Sequence, residues 1–162
     1  LQEKKIKLQN IKWINSFKKI SKFPTIFIAN EFFDALPIKQ FIKKENVWFE
    51  KYVVNKNRSL VFFEKKISKE IIEKLLKRKI LKNQKFIEFS PLANEILASI
   101  TRIVKKNNGG VLIIDYGYES KKMFDTLQSV KKHKKNNLLE NIYKADITHL
   151  INFNFLKKKS KI

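Results

Sequence analysis

The stretch Ile26-Phe-Ile-Ala-Asn-Glu-Phe-Phe-Asp-Ala-Leu-Pro37 decides the fold. Ile26 to Ala29 are apolar on both faces of an extended chain, the pattern of a strand buried inside a parallel sheet, and the run stops at Asn30. The following turn carries two acids, Glu31 and Asp34, and two phenylalanines. In a helical turn, carboxylates three residues apart share one face, with Phe32, Phe33 and Leu36 anchoring the turn to a core. In open α/β sheets ligands sit beyond the carboxyl ends of the strands, so this junction is where chemistry is expected.

A second junction of the same kind lies downstream. Ser90-Pro91 is an N-cap followed by proline at the first helical position, and Leu92, Ile96, Leu97, Ile100, Ile103 and Val104 keep the helical period. Lys105 and Lys106 suit the negative end of the helix dipole, and Asn107-Asn-Gly-Gly110 stops the helix. Val111 to Ile114 reads as a second buried parallel strand, ending in Asp115-Tyr-Gly-Tyr118. Helix, glycine stop, strand and acid make an α/β half-unit, so the fold class is α/β.

Between the junctions, Ile38–Ile42, Val47–Val54 and Ser59–Phe63 are separated by short turn-like linkers, which predicts an antiparallel meander within an insertion over residues 38–66. Ser68 caps a helix expected to run to about Leu81, with Ile71, Ile72, Leu75 and Leu76 on one face. Phe86–Phe89 is a short extended piece. At the start, residues 1–10 read as a helix tail, and Trp13 and Phe17 fall on one helical face before Pro24 ends the segment. Past Tyr118 the pattern weakens. Met123–Val130 suits a strand or a short helix, Lys131–Asn137 a basic loop, and Ala145–Phe155 the start of a helix, with no structure assigned to residues 131–144.

Composition narrows the function. The 162 residues are 43% hydrophobic, about one domain's worth of chain. A first residue other than Met and an unfinished end at Lys161-Ile162 read as a fragment. No cysteine is present, which excludes disulfides, thiolate metal sites and cysteine nucleophiles. No apolar run approaches the roughly 20 residues of a membrane span and no signal-peptide pattern opens the chain, so no membrane insertion and a cytoplasmic location are expected. The net charge is +21, from 36 basic and 15 acidic residues. Only Arg58, Arg78 and Arg102 are arginine, leaving 33 lysines spread along the chain. That distribution favours a solvated, compositionally biased surface over a specific nucleic-acid face.

Catalytic motifs are sparse. The only glycines are Gly109, Gly110 and Gly117, too few for a phosphate-binding loop or a dinucleotide fingerprint. His133 and His149 are 16 apart without a Cys partner, which reads as two surface or loop histidines and no metal site. Glu31 and Asp34 suit paired acid/base groups, a clamp for a guanidinium or ammonium, or a helix-capping pair, and Asp115 suits a turn cap as well as a ligand contact.

Several stretches together resemble the MidA family of class I S-adenosylmethionine-dependent methyltransferases, which includes the mitochondrial complex I assembly factor. They are Ala29–Pro37 with Lys39-Gln-Phe41 and the Trp48 segment, Glu88–Pro91, Gly110–Tyr118, Asp125–Gln128, Ala145–Thr148 and Asn152-Phe153, in order over residues 10–156. The resemblance implies a partial Rossmann-like methyltransferase sheet in which Ile26–Ala29 is strand four and Val111–Ile114 strand five, with flanking helices and the meander as an insertion. The glycine-rich cofactor loop would precede Leu1. It further implies S-adenosylmethionine as cofactor, with Asn30, Asp115 and Tyr116 on the cofactor side and Glu31 and Asp34 as catalytic residues. The implied activity is protein arginine methylation linked to respiratory complex assembly, on a protein substrate such as an NADH dehydrogenase subunit. Without the preceding strands the edge of Ile26–Ala29 is expected to be uncovered and prone to association, so a homodimer is one expected assembly. A non-catalytic assembly protein of the same fold and a basic RNA-binding module are the alternatives.

Overall fold

The computed structural model describes residue 6, residues 10–20 and residues 22–160. A 3-10 turn (Phe17–Lys19) precedes β1 (Ile26–Asn30), β2 (Lys39–Lys44), β3 (Val47–Lys56), β4 (Ser59–Ile67) and α1 (Lys69–Leu76). Then follow β5 (Phe86–Phe89), α2 (Pro91–Asn107), β6 (Gly110–Ile114), β7 (Gly117–Tyr118), β8 (Gln128–Lys131), β9 (Lys134–Asn136), β10 (Asp146–Thr148), β11 (Ile151–Asn152) and α3 (Phe153–Ser160).

The two apolar strands pair in parallel, from Ile26 opposite Gly110 to Asn30 opposite Ile114. A parallel pair needs a long crossover, and this one contains the meander and two helices. Gly109 permits the close approach at its start, since a Cβ there would fall 2.0 Å from the Thr25 carbonyl oxygen. The carbonyl of Thr25 instead accepts the Gly110 N–H at 3.0 Å. On one face, Ala29 and Ile113 pack on Phe33, Ala93 and Leu97, the last two from α2. The other face is bare: Ile26 is 75% exposed, Ile28 70%, Leu112 51% and Ile114 50%. The expectation of strands buried on both faces is therefore corrected, because among the described residues only one face of the pair is covered.

Residues 39–67 form the antiparallel strands β2, β3 and β4, and β5 joins β2 with Lys39 opposite Phe89, giving the order β4-β3-β2-β5. The stretch read as a short extended piece is thus strand β5 of this sheet. Phe41, Trp48, Ile87 and Phe89 from this sheet, Ile72 and Leu76 from α1, Met123 and Phe155 make one core cluster. Phe33, Ala93, Leu97, Ile151 and Leu156 make the other. The ring of Phe155, 6.0 Å from that of Phe89, brings α3 onto the sheet.

Several boundaries differ from the sequence reading. Helix α1 starts at the Ser68 cap but stops at Leu76, because Lys77 takes a left-handed conformation (φ 52°) and the Glu73 carboxylate accepts the Ile80 N–H at 2.8 Å. No α-helix carries Trp13 and Phe17; they are 40% and 38% exposed, and Phe17 packs 6.3 Å from Phe27. Most of the expected helix tail over residues 1–10 lies outside the described residues. The expected basic loop is a hairpin of β8 and β9, turning at Lys132 and His133 with φ of 50° and 60°. β10 adds to β8, so the C-terminal helix begins only at Phe153.

Two leucines of α2 separate core packing from helix propensity. Leu97 is 1% exposed and Leu92 41%. Leu97→Ala costs about 2–5 kcal/mol of unfolding free energy in urea melts, whereas Leu92→Ala costs within about 0.5 kcal/mol.

Candidate active site at the strand ends

Glu31 leaves β1 with a φ of 44°, yet its N–H still reaches the Ile114 carbonyl at 2.9 Å, extending the ladder by one bond. The chain then closes a β-turn in which the Leu36 N–H donates to the Phe33 carbonyl at 3.2 Å. The turn is therefore not helical, and the expected shared face of Glu31 and Asp34 is corrected: Glu31 is exposed and Asp34 buried. Phe33 is fully buried and Leu36 packs on its cluster. Phe32 does not anchor the turn; it is 43% exposed and lies edge-on to Phe33 at 5.2 Å.

What holds this turn is Asp115, the first residue after β6. Its Oδ2 accepts the N–H groups of Phe33 (2.9 Å) and Asp34 (3.3 Å), and its Oδ1 accepts that of Tyr116 (2.8 Å). Charge-assisted bonds of this kind are the strong ones, and here three main-chain donors meet one carboxylate. Asn30, Glu31 and Tyr116 stand exposed around it, the Tyr116 residue 62% so. Three of the chain's 15 acids thus meet at the carboxyl end of the parallel pair. Burial pushes the Asp34 carboxyl above its usual pKa, the Asp115 and Glu31 charges push the same way, and the His149 charge and a bond from the Ala35 main chain oppose them.

His149 is the residue that sequence reading missed. It is 6% exposed rather than on the surface, and its main-chain N–H donates to the Asp34 carbonyl at 3.0 Å. The apolar pair Leu150-Ile151 beside it is the only local hint of burial. Behind it lies a buried polar hub. Glu88 accepts from Gln40 Nε2 at 2.6 Å, from the Thr126 N–H at 3.3 Å and from the Thr126 hydroxyl. Gln40 Nε2 also reaches Asp125 at 2.8 Å, and Thr126 Oγ1 accepts the Leu150 N–H at 2.9 Å. This hub ties β2, β5 and the segment of His149 together with its partners satisfied.

An α/β crossover with acids gathered past the ends of two parallel strands defines a ligand-handling site of the open-sheet kind. The whole chain, residues 1–162, matches the family described as "Putative S-adenosyl-L-methionine-dependent methyltransferase", and it belongs to that family, in agreement with the MidA resemblance. It is 33% identical over 150 residues to the protein arginine methyltransferase NDUFAF7 homolog, mitochondrial, of Caenorhabditis elegans, covering 91% of this chain and 35% of that protein. It is 31% identical over 161 residues to protein arginine methyltransferase NDUFAF7, mitochondrial, of Danio rerio, with the same coverages. The chain thus spans about a third of the length of the curated relatives it matches. A crystal structure of a Burkholderia thailandensis protein bound to S-adenosyl-homocysteine shares the fold, with a TM-score of 0.71 at 17% identity over 93% of this chain and 40% of that one. The expected cytoplasmic location is corrected, because these curated relatives are mitochondrial proteins. The absence of a span or signal pattern does not distinguish one aqueous compartment from another.

The Asp115 clamp is open to direct measurement. Asp115→Ala leaves two main-chain N–H groups of the turn without their acceptor and costs about 1–3 kcal/mol. Amide hydrogen exchange at Phe33 and Asp34 then accelerates, while exchange within α2 rises only by the global loss of stability.

Proposed function

We propose that this chain is the central part of a protein arginine methyltransferase domain using S-adenosylmethionine, and that Glu31 and Asp34 receive the acceptor guanidinium. The observation that carries the reading is the pairing of an exposed and a buried carboxylate in one turn clamped at the sheet's carboxyl end, in a chain of net charge +21. A guanidinium needs carboxylates that orient its fork, offset its charge and accept the proton that methylation releases. The exposed Glu31 is suited to orienting the fork and the buried Asp34 to taking the proton. Asp115 acts through the turn it holds.

The cofactor supplies an electrophilic methyl group on a sulfonium. The residues present fit one side of such a ligand: exposed Asn30 offers amide donors and an acceptor, and the exposed ring of Tyr116 offers a stacking face. Only three glycines occur in the chain, at the end of α2, the start of β6 and β7, so a glycine-rich cofactor turn would come from elsewhere in the domain. In this reading β1 and β6 are the fourth and fifth strands of a Rossmann-like sheet, residues 38–66 are an insertion, and the bare face and free edge of β1 receive the remaining strands and helices. The exposure of Ile26 and Ile28 supports that docking, since a parallel sheet is ordinarily covered on both faces. An NADH dehydrogenase subunit is the acceptor suggested by the family resemblance, and a homodimer formed through the same bare face is the competing use of that surface.

Two measurements check the proposal. In the whole protein, Glu31→Gln abolishes methyl transfer to an arginine-bearing substrate while calorimetry still detects S-adenosylmethionine binding; unchanged turnover rejects the assignment. Residues 1–162 alone show no cofactor binding in calorimetry, and micromolar affinity would refute the division of the site.

A further inference from the structure

The sheet of order β4-β3-β2-β5 is uneven: β3 has ten residues and β2 six. β4 follows β3 from Trp48 to Lys56, whereas β2 follows it only from Val47 to Lys51. From Tyr52 to Lys56, β3 therefore has a strand on one side and none on the other among the described residues. Its main-chain groups on the open side form a free edge, the template on which an extended peptide adds as a strand. A two-stranded ribbon is marginal by itself, so a third strand also steadies this arm.

The free edge begins where the chain leaves the acid turn. β2 starts at Lys39, two residues after Pro37, and five residues separate Lys39 from Asp34. The acid turn therefore lies within about 18 Å of the step between β2 and β3. All ladders of this sheet are antiparallel. A strand laid antiparallel on Tyr52–Lys56 runs in line with β2 and ends, at its carboxyl end, beside Ile38. Its continuation covers the distance to the acid turn in about five extended residues.

The step is also shaped to receive side chains. A cavity of about 260 Å³ lies there between Ile38, Val53, Phe62 and Leu127, with Lys39 and Lys51 on its walls. Val53 is 51% exposed and Phe62 42%, so apolar surface stands uncovered at the edge. Tyr52-Val53-Val54 carries none of the charges or prolines that blunt a solvated edge. The Lys51 ammonium is held 5.0 Å from the centre of the Phe62 ring, and its pair with the half-exposed Asp125 is long, at 3.5 Å. Such a pair holds weakly. Glu50, the one acid lining the cavity, is already taken by Lys39 at 2.5 Å.

Charge selects the occupant. Residues 51–66 carry five basic side chains and one acid, in a chain of net charge +21. A second copy is repelled and an acidic strand is attracted. We infer that the free edge of β3 is a docking strand for the protein substrate: an extended, acidic and apolar segment N-terminal to the target arginine pairs with Tyr52–Lys56 and sets its side chains in the cavity. The inference rests on the reading of the acid turn as the guanidinium site and adds where the rest of the substrate lies.

The test uses the whole protein and a synthetic peptide of alternating Glu and Val with an arginine about five residues beyond its carboxyl end. The peptide slows amide hydrogen exchange at the edge-facing positions of Tyr52–Lys56 several-fold. The same peptide N-methylated throughout the Glu-Val segment keeps its charges, loses its main-chain donors and binds about tenfold more weakly. Val53→Glu, at a half-exposed position, sets an acid against the segment and weakens the parent peptide by a similar factor. Equal affinity for the parent and N-methylated peptides, or protection confined to β4, overturns the inference. So does an edge already protected before peptide is added: protection that grows with protein concentration means a second copy covers it, and protection independent of concentration means another segment of the same chain does. A citrulline peptide, which lacks the guanidinium charge, still protects the edge. Edge protection without methyl transfer rejects the arginine reading and leaves the docking strand, whereas methyl transfer without edge protection rejects the docking strand alone.

Discussion

The carboxylate of Asp115 is the constraint on which the site depends. It joins the end of β6 to main-chain donors 81 and 82 residues away, at Asp34 and Phe33. Parallel strands do not meet through a hairpin, so nothing local would keep their ends level. One charged acceptor with three N–H partners does so, and the consequences spread outward. Phe33 is carried into the core, Leu36 closes the turn over it, and Asp34 is drawn below the surface while Glu31 stays in solvent.

A second carboxylate organises the layer behind. Glu88 collects Gln40 from β2 and Thr126 from the chain after β7, and Thr126 in turn holds Leu150. The four-stranded sheet is thereby coupled to the acid turn through the segment that carries His149. Buried polar groups of this kind specify one arrangement when every member is satisfied, and Glu88 is. The two core clusters do the rest, with Phe155 bridging α3 to the sheet and Leu97 seating α2 under the parallel pair.

How much of this was legible in the sequence follows from which interactions are local. Strands β1 and β6, helix α2 and the strands of the meander announce themselves through periodicity, the Ser90-Pro91 start and turn-like linkers. The shape of the acid turn did not, because Glu31 adopts a left-handed φ without glycine or asparagine and the bonds that hold it there come from residues 114 and 115. The hairpin at Lys132 and His133 likewise has two positive φ angles on residues that carry no turn signal. Helix α1 ends early because the side chain of Glu73 captures the Ile80 N–H, a competition that propensity does not report. His149 looked like a loop histidine because its burial is set by β10, β11 and the Thr126 hydroxyl, all distant from it in character if not in number. Asp115 was recognised as either a cap or a ligand contact; its bonding in the structure is that of a cap.

The central claim is that the clamped turn after β1 is where a guanidinium is received. It is tested most directly by amide chemical shifts in the whole protein as an arginine-bearing peptide is titrated against the same peptide carrying citrulline, which keeps the shape and removes the charge. The account predicts that the arginine peptide shifts the amides of Glu31 to Leu36 and of Tyr116, and that the citrulline peptide leaves them in place. Equal shifts from both peptides, or shifts confined to other parts of the chain, would contradict it.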